Sequence, residues 1–217
     1  GDHDTHRRTI KLVKEINQEY NCKTAVLADL QGPKLRIGDV EEGAVINEGD
    51  TLIFTTEKVV GTAERVYMNY KQFPSDVNTG ERILLDDGKL ICEVLETNKK
   101  DTVITKVVQG GPLKSKKGVN LPNTKVSLPC LTKKDLEDVV VAMEEGAEWI
   151  GLSFVRDAND VAELRKIIED FGSFAKIVSK IEKPEAVVDI DNIIHATDAI
   201  MVARGDLGVE IPYSSVP

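Results

Sequence analysis

Ala175–Glu182, AKIVSKIE, and its counterpart Ala199–Asp206, AIMVARGD, are short apolar runs rich in Ile and Val that each stop in charge. A buried parallel strand has this pattern where it leaves a hydrophobic interior. In a strand, side chains alternate with a period of two, so Lys180 and Glu182 are predicted on one face. The same count puts Arg204 and Asp206 together. Two strand ends, each with a carboxylate and a cation, suit a divalent metal and an anionic substrate. Either run alone is more simply read as a solvent-facing strand end whose charges neutralise each other, and it is the repeat of the pattern that favours a site.

Outward from these runs the chain alternates. Thr132 followed by Asp135 predicts a capping box, with Asp in place of Glu or Gln. The helix it opens covers 133–145, with Leu136, Val139, Val140 and Met143 as its apolar stripe. A strand at 149–153, a helix at 157–170, a strand at 176–180, a helix from Pro184 to Ala196 and a strand at 199–202 follow. Upstream, Ile10, Val13, Ile16 and Tyr20 mark an amphipathic helix over 5–20. It leads into a buried strand at 22–28, then Asp29 and the Gly32-Pro33 turn. Four such strands with intervening helices imply parallel pairing through right-handed crossovers.

Between Ile37 and Ser127 the composition changes to short Val, Ile, Leu and Thr runs broken by Gly, Asp and Asn. Strands are predicted at 45–46, 51–56, 82–85, 89–97 and 102–109, with turns at Asp86-Asp87-Gly88 and Asn98–Asp101, and no sustained helical period. The expected organisation is an α/β fold interrupted by a small all-β barrel domain, with boundaries 1–36, 37–127 and 128–217. The exit of the insertion, GGPLKSKKGVNLPNT over 110–124, reads as a hinge or as a loop facing an anion. About 120 residues remain for the α/β part, whereas a closed (β/α)₈ barrel takes roughly 250. A partial barrel with two open sheet edges is therefore expected, and open edges invite self-association.

The 217 residues carry a net charge of −9 and 41% hydrophobic residues, a balance that excludes a nucleic-acid footprint and allows a substantial core. Cys22, Cys92 and Cys130 are far apart and lack metal-ligand spacing, which predicts free thiols in a reducing cytoplasm. No run is long enough for a membrane helix, and no basic-then-apolar leader opens the chain. The start at Gly1 suggests processing or a cut chain. His3, His6 and His195 lie near helix ends and read as capping or exposed residues. Signatures of serine hydrolases, zinc proteases, P-loops and dinucleotide folds are absent.

Six motifs, DLQGPKLRIG (29–38), LLDDG (84–88), SKKGVNLP (115–122), LSFVR (152–156), SKIEKPEA (179–186) and MVARGDLGVEIP (201–212), resemble pyruvate kinase in order and spacing. The resemblance implies a TIM barrel with a β-barrel lid inserted after its third strand. It implies phosphoryl transfer from phosphoenolpyruvate to ADP, in the cytoplasm, by a homotetrameric parent. Glu182 and Asp206 match the carboxylates that ligate Mg²⁺ or Mn²⁺. Lys180 matches the lysine that neutralises the phosphoryl group in flight, and Arg36 an arginine on phosphate. Ser153 lies on the same rim, and the amides of Gly205 and Asp206 would bind the substrate carboxylate. Asp87, Lys117 and Lys116 would serve the nucleotide from the lid. Many members carry glutamate where this chain has Lys34, and that glutamate goes with a potassium requirement. Leu30, Gln31, Lys34 and Ile37 instead resemble the subgroup that needs no K⁺, with Lys34, beside Asp29, supplying the missing charge.

The resemblance also implies that an Asn-Phe-Ser-His motif precedes Gly1, and that later barrel strands and an effector-binding domain follow Pro217. On that expectation the 217 residues alone are inactive. Two other readings compete: a magnesium-dependent barrel lyase or aldolase on pyruvate-like acids, and a non-catalytic β module on an α/β scaffold.

Overall fold

A computed structural model describes residues 2–216. In chain order the elements are α1 (His3–Glu19), β1 (Leu27–Asp29), β2 (Val45–Ile46), β3 (Thr51–Thr55), β4 (Arg65–Tyr67), α2 (Phe73–Asp76), β5 (Arg82–Leu85) and β6 (Leu90–Thr97). They continue with β7 (Thr102–Gln109), β8 (Gly111–Pro112), β9 (Val119–Asn120), α3 (Lys133–Glu144), β10 (Trp149–Leu152), α4 (Ala158–Phe171) and β11 (Lys176–Ile181). The last are α5 (Pro184–Val188), α6 (Ile190–Ala196), β12 (Ala199–Val202), α7 (Arg204–Glu210) and a 3₁₀ turn at Tyr213–Ser215. The chain divides into two compact units. The first comprises residues up to Pro33 and Pro129–Leu207, and the second Lys34–Leu128 with Gly208–Val216.

The first unit is built on a four-stranded sheet of order β1-β10-β11-β12, every neighbouring pair parallel. Helices α3, α4 and α5–α6 make the crossovers, as parallel pairing demands. Ile150, Leu152, Val161, Leu164, Ile168, Ile177, Ile181 and Ile193 form its buried core. Asp135 builds the predicted capping box: its Oδ2 accepts the Thr132 N–H at 2.9 Å, and Thr132 Oγ1 accepts the Asp135 N–H at 3.2 Å. The other Asp135 oxygen accepts the Gly32 N–H at 3.1 Å, which ties the turn after β1 to the start of α3. Helix α4 starts on the Asp157 side chain and stops at Gly172, whose φ of 75° satisfies the last carbonyls in a left-handed cap.

Several expectations need correction. The strand predicted at 22–28 is only Leu27–Asp29, and it is not buried: Leu27 is 42% exposed at the sheet edge. The α1 stripe packs through Ile10, while Ile16 and Tyr20 are exposed. In α3 the core-facing residues are Val139, Val141, Ala142 and Met143, with Leu136 and Val140 largely outward. The single helix predicted over 184–196 is two. Asp189 separates them, and its carboxylate is occupied by the Ala158 N–H at 2.9 Å and Asn192 Nδ2 at 2.6 Å.

Over Lys34–Leu128 the second unit is all-β apart from the short helix α2, which the sequence pattern did not predict, and its Gly208–Val216 segment carries the end of α7 and the 3₁₀ turn. Its six-stranded sheet has the order β4-β3-β7-β6-β5-β9, antiparallel except for β3–β4, and β2 pairs with β8 separately. A contiguous core of buried apolar residues includes Ile46, Leu52, Met68, Ile83, Leu85 and Val107, with Phe54 and Phe73 in edge-to-face contact at 5.7 Å. The stretch 110–124 is no loose linker. It contributes β8 and β9 to these sheets.

Candidate functional site

In the first unit the parallel register brings the C-terminal ends of four strands to one edge, with Asp29 opposite Gly151, Gly151 opposite Val178, and Lys180 opposite Met201. Asp29 closes β1, Ser153 follows β10, and Lys180 and Glu182 flank the end of β11. Lys180 is the hub. Its Nζ lies 3.0 Å from Glu182 Oε1, 2.9 Å from Ser153 Oγ and 3.2 Å from Asp29 Oδ1. An ammonium has three donors, so these partners saturate it. Ser153 donates its own hydroxyl proton to the Leu30 carbonyl at 2.7 Å, which leaves a lone pair for the lysine.

Glu182 is 3% exposed, and its second oxygen accepts the Phe154 N–H at 3.0 Å. Phe154 donates from a left-handed conformation, φ 57°, that a bulky residue rarely adopts. Its ring in turn closes over Gly32, where an added Cβ would come within 2.7 Å of Phe154 Cδ2. Burial pushes the Glu182 carboxyl pKa up, and the Asp206 charge adds to this, against the lowering effects of Lys180 and the Phe154 amide. For Lys180, burial acts against the charge, but the bonds to Glu182 and Asp29 outweigh it and the pKa is raised.

Asp206 lies in the first turn of α7, near enough to Glu182 for their charges to repel. The predicted strand face shared by Arg204 and Asp206 does not exist. Both residues are helical, and neighbours two apart on a helix point away from each other. Gly205 occupies the same turn in open space. Among the described residues, no three of His, Cys, Asp and Glu converge as a ready-made metal cage. Two hard carboxylates with lone pairs to spare and mutual repulsion nevertheless fit a magnesium-type ion, which keeps much of its water and takes few protein ligands.

The second unit holds the predicted cations. Arg36 is half-buried, and its Nη1 donates to the Lys116 carbonyl at 2.7 Å, while its backbone bridges to Gly118. Lys116, at φ 61°, pairs loosely with Asp39 at 3.3 Å. Lys117 Nζ is 2.8 Å from Asp86 Oδ1. The sequence reading singled out Asp87, which is exposed in the turn at φ 58°. It is Asp86 that engages the lysine, with its pKa lowered chiefly by that bond. Both aspartates have positive φ, 50° and 58°, and Asp86 is the less exposed of the two. Lys34 is exposed, and its carbonyl accepts from Asn69 Nδ2 at 3.3 Å. Sequence reasoning also missed the Phe154 amide, because a main-chain donor leaves no side-chain signature.

Comparison with known proteins gives a consistent result. The family model described as pyruvate kinase, barrel domain, matches residues 1–217. A pyruvate kinase of Corynebacterium glutamicum is 44% identical over 220 residues, covering 100% of this chain and 46% of the relative. One from Geobacillus stearothermophilus is 42% identical, covering 100% of this chain and 38% of the relative. The chain thus spans about half the length of the curated relatives it matches, or less. The crystal structure of a pyruvate kinase from Cryptosporidium parvum superposes with a TM-score of 0.91 at 36% identity, covering 100% of this chain and 46% of that one. The four parallel strands are accordingly part of a (β/α)₈ barrel, and the β-rich unit is its inserted domain.

Proposed function

Because the chain belongs to the pyruvate kinase family, we propose that the protein transfers a phosphoryl group from phosphoenolpyruvate to ADP, giving pyruvate and ATP, as a glycolytic step in the cytoplasm. The observation that carries this reading is Lys180 held between Asp29, Ser153 and buried Glu182 at the strand ends. Phosphoryl transfer needs positioning and charge stabilisation more than covalent help. A fixed ammonium backed by a dry carboxylate meets that need.

In this reading Glu182 and Asp206 hold Mg²⁺ or Mn²⁺, whose charge would screen substrate oxygens from one another. Lys180 faces the transferring phosphoryl group and offsets its charge, while Glu182 and Ser153 keep the ammonium from swinging away. The amides of Gly205 and Asp206 orient the substrate carboxylate. Arg36, Lys116 and Lys117 receive phosphates, and Asp87 is available to the nucleotide's metal ion. Lys34, with Asp29, stands in for a monovalent cation, so K⁺ is not required. The domain limits 1–36, 37–127 and 128–217 and a homotetrameric assembly belong to the same reading. Lyase and scaffold readings gain nothing from the family match.

The test is a lactate-dehydrogenase-coupled assay on the whole protein, with calorimetric titration of ADP–Mg²⁺. Turnover requiring both phosphoenolpyruvate and ADP supports the reading. Aldol cleavage or lyase activity without a nucleotide would overturn it.

A further inference from the structure

The ammonium of Lys117 is anchored at both ends of its residue. Asp86 Oδ1 takes Nζ at 2.8 Å, and the Lys117 carbonyl accepts the Ile37 N–H at 3.0 Å. Asp86 is itself fixed: its N–H donates to the Gly118 carbonyl at 3.2 Å, which straps the turn between β5 and β6 to the segment that carries Lys117. The adjoining loop is pinned as well. Ser115 Oγ accepts the Val40 N–H at 2.9 Å and donates to the Val40 carbonyl at 3.1 Å, and Lys116 N–H donates to Gly38 at 2.9 Å.

We propose that Asp86 is a positioning residue, which holds Lys117 in the geometry that receives the phosphates of a nucleoside diphosphate. The proposal rests on the kinase reading and deepens it. A lysine stem has many rotamers, and a free one must be ordered when the anion arrives. Here the ordering is done beforehand by a carboxylate whose side chain is only 14% exposed, while the lysine keeps 35% exposure for a ligand. Only one of three ammonium donors is spent, so two remain. The second Asp86 oxygen faces Lys89 at 3.5 Å, so two cations share this one carboxylate.

The experiment compares Asp86→Asn, Lys117→Met and the double variant in the whole protein by steady-state kinetics, ADP–Mg²⁺ calorimetry and thermal melting. Asn tolerates the left-handed backbone that Asp86 adopts, so the turn is retained. Loss of the preset geometry is expected to raise KM for ADP about tenfold. KM for phosphoenolpyruvate and kcat at saturating ADP stay within about twofold, and the melting temperature is unchanged. In the Lys117→Met background, Asp86→Asn has no further effect, the signature of residues that act as a unit. A purely structural role would instead lower the melting temperature and disturb both substrates alike. ADP affinity unchanged or tighter in Asp86→Asn, or an equal loss with and without Lys117, overturns the proposal while leaving the kinase reading intact. Failure of the wild-type protein to bind ADP–Mg²⁺ overturns both.

Discussion

Lys180 Nζ sits 3.0 Å from Glu182 Oε1, and Glu182 is 3% exposed. A nearly dry carboxylate is tolerable only with its counter-charge and donors in place. Lys180→Met leaves Glu182 with the Phe154 amide as its remaining hydrogen bond among those described above. The cost is moderated because burial already favours the protonated carboxyl. The variant is expected to lose about 2–4 kcal/mol in urea unfolding, and Lys180→Met with Glu182→Gln to recover most of it. Turnover should fall by about 10²–10³ in the single variant. An unchanged urea midpoint would show that the pair carries no stability.

The wild-type protein is expected to turn over fully in buffer free of sodium and potassium, with Lys34 supplying the cationic charge. Lys34→Glu reverses that charge and should create a potassium requirement, read as restoration of activity on titrating KCl. Strict potassium dependence of the wild-type protein would sink the substitution argument.

The part of this site that could be read from the sequence is the part governed by the strand period. Lys180 and Glu182 are two apart where β11 ends, and alternation alone put them together. The same count failed for Arg204 and Asp206, because α7 begins at once after β12 and the period changes from two to 3.6 within one residue. The break at Asp189 was hidden because its cause is tertiary: the carboxylate reaches the Ala158 amide on another element. Strands β8 and β9 are two residues each and lie in a stretch whose Gly, Pro and Lys content reads as loop. The Asp86–Lys117 pair was not legible because its partners lie far apart in the chain and no periodic pattern links them. The reaction itself came from the ordered motifs, not from any of these physical signals.

The thiols divide by burial. Cys22 is exposed, whereas Cys92 and Cys130 are buried. Burial pushes the Cys92 pKa up to about 11, and Cys130 is raised further. The thiolate is the reactive form, so an aromatic disulfide reagent at pH 8 should titrate Cys22 alone in the native protein. All three cysteines of the sequence should react after denaturation. Rapid reaction of Cys130 in the native state would show that the packing around the Ser153 carbonyl opens easily.

Asp198 joins two strands of the first unit by charge. It precedes β12, and its Oδ2 accepts the Ile177 N–H of β11 at 2.8 Å and Arg165 Nη2 of α4 at 2.7 Å. Burial alone would raise its pKa, but the Ile177 amide and the Arg165 guanidinium outweigh burial, and the folded-state value lies below the ordinary 3.8. A carboxyl depressed on folding contributes stability that is complete above the unfolded value and is lost as pH falls through the folded one. Wild type and Asp198→Asn should therefore differ by a constant amount in denaturant midpoint at neutral pH and down to about pH 5. The gap should close below the ordinary carboxylate range, as the wild-type group takes up its proton and the variant, with nothing to titrate there, does not follow. A gap that persisted to the lowest pH would mean that Asn loses the amide bond for steric reasons, and that the charge at Asp198 is not what holds these strands.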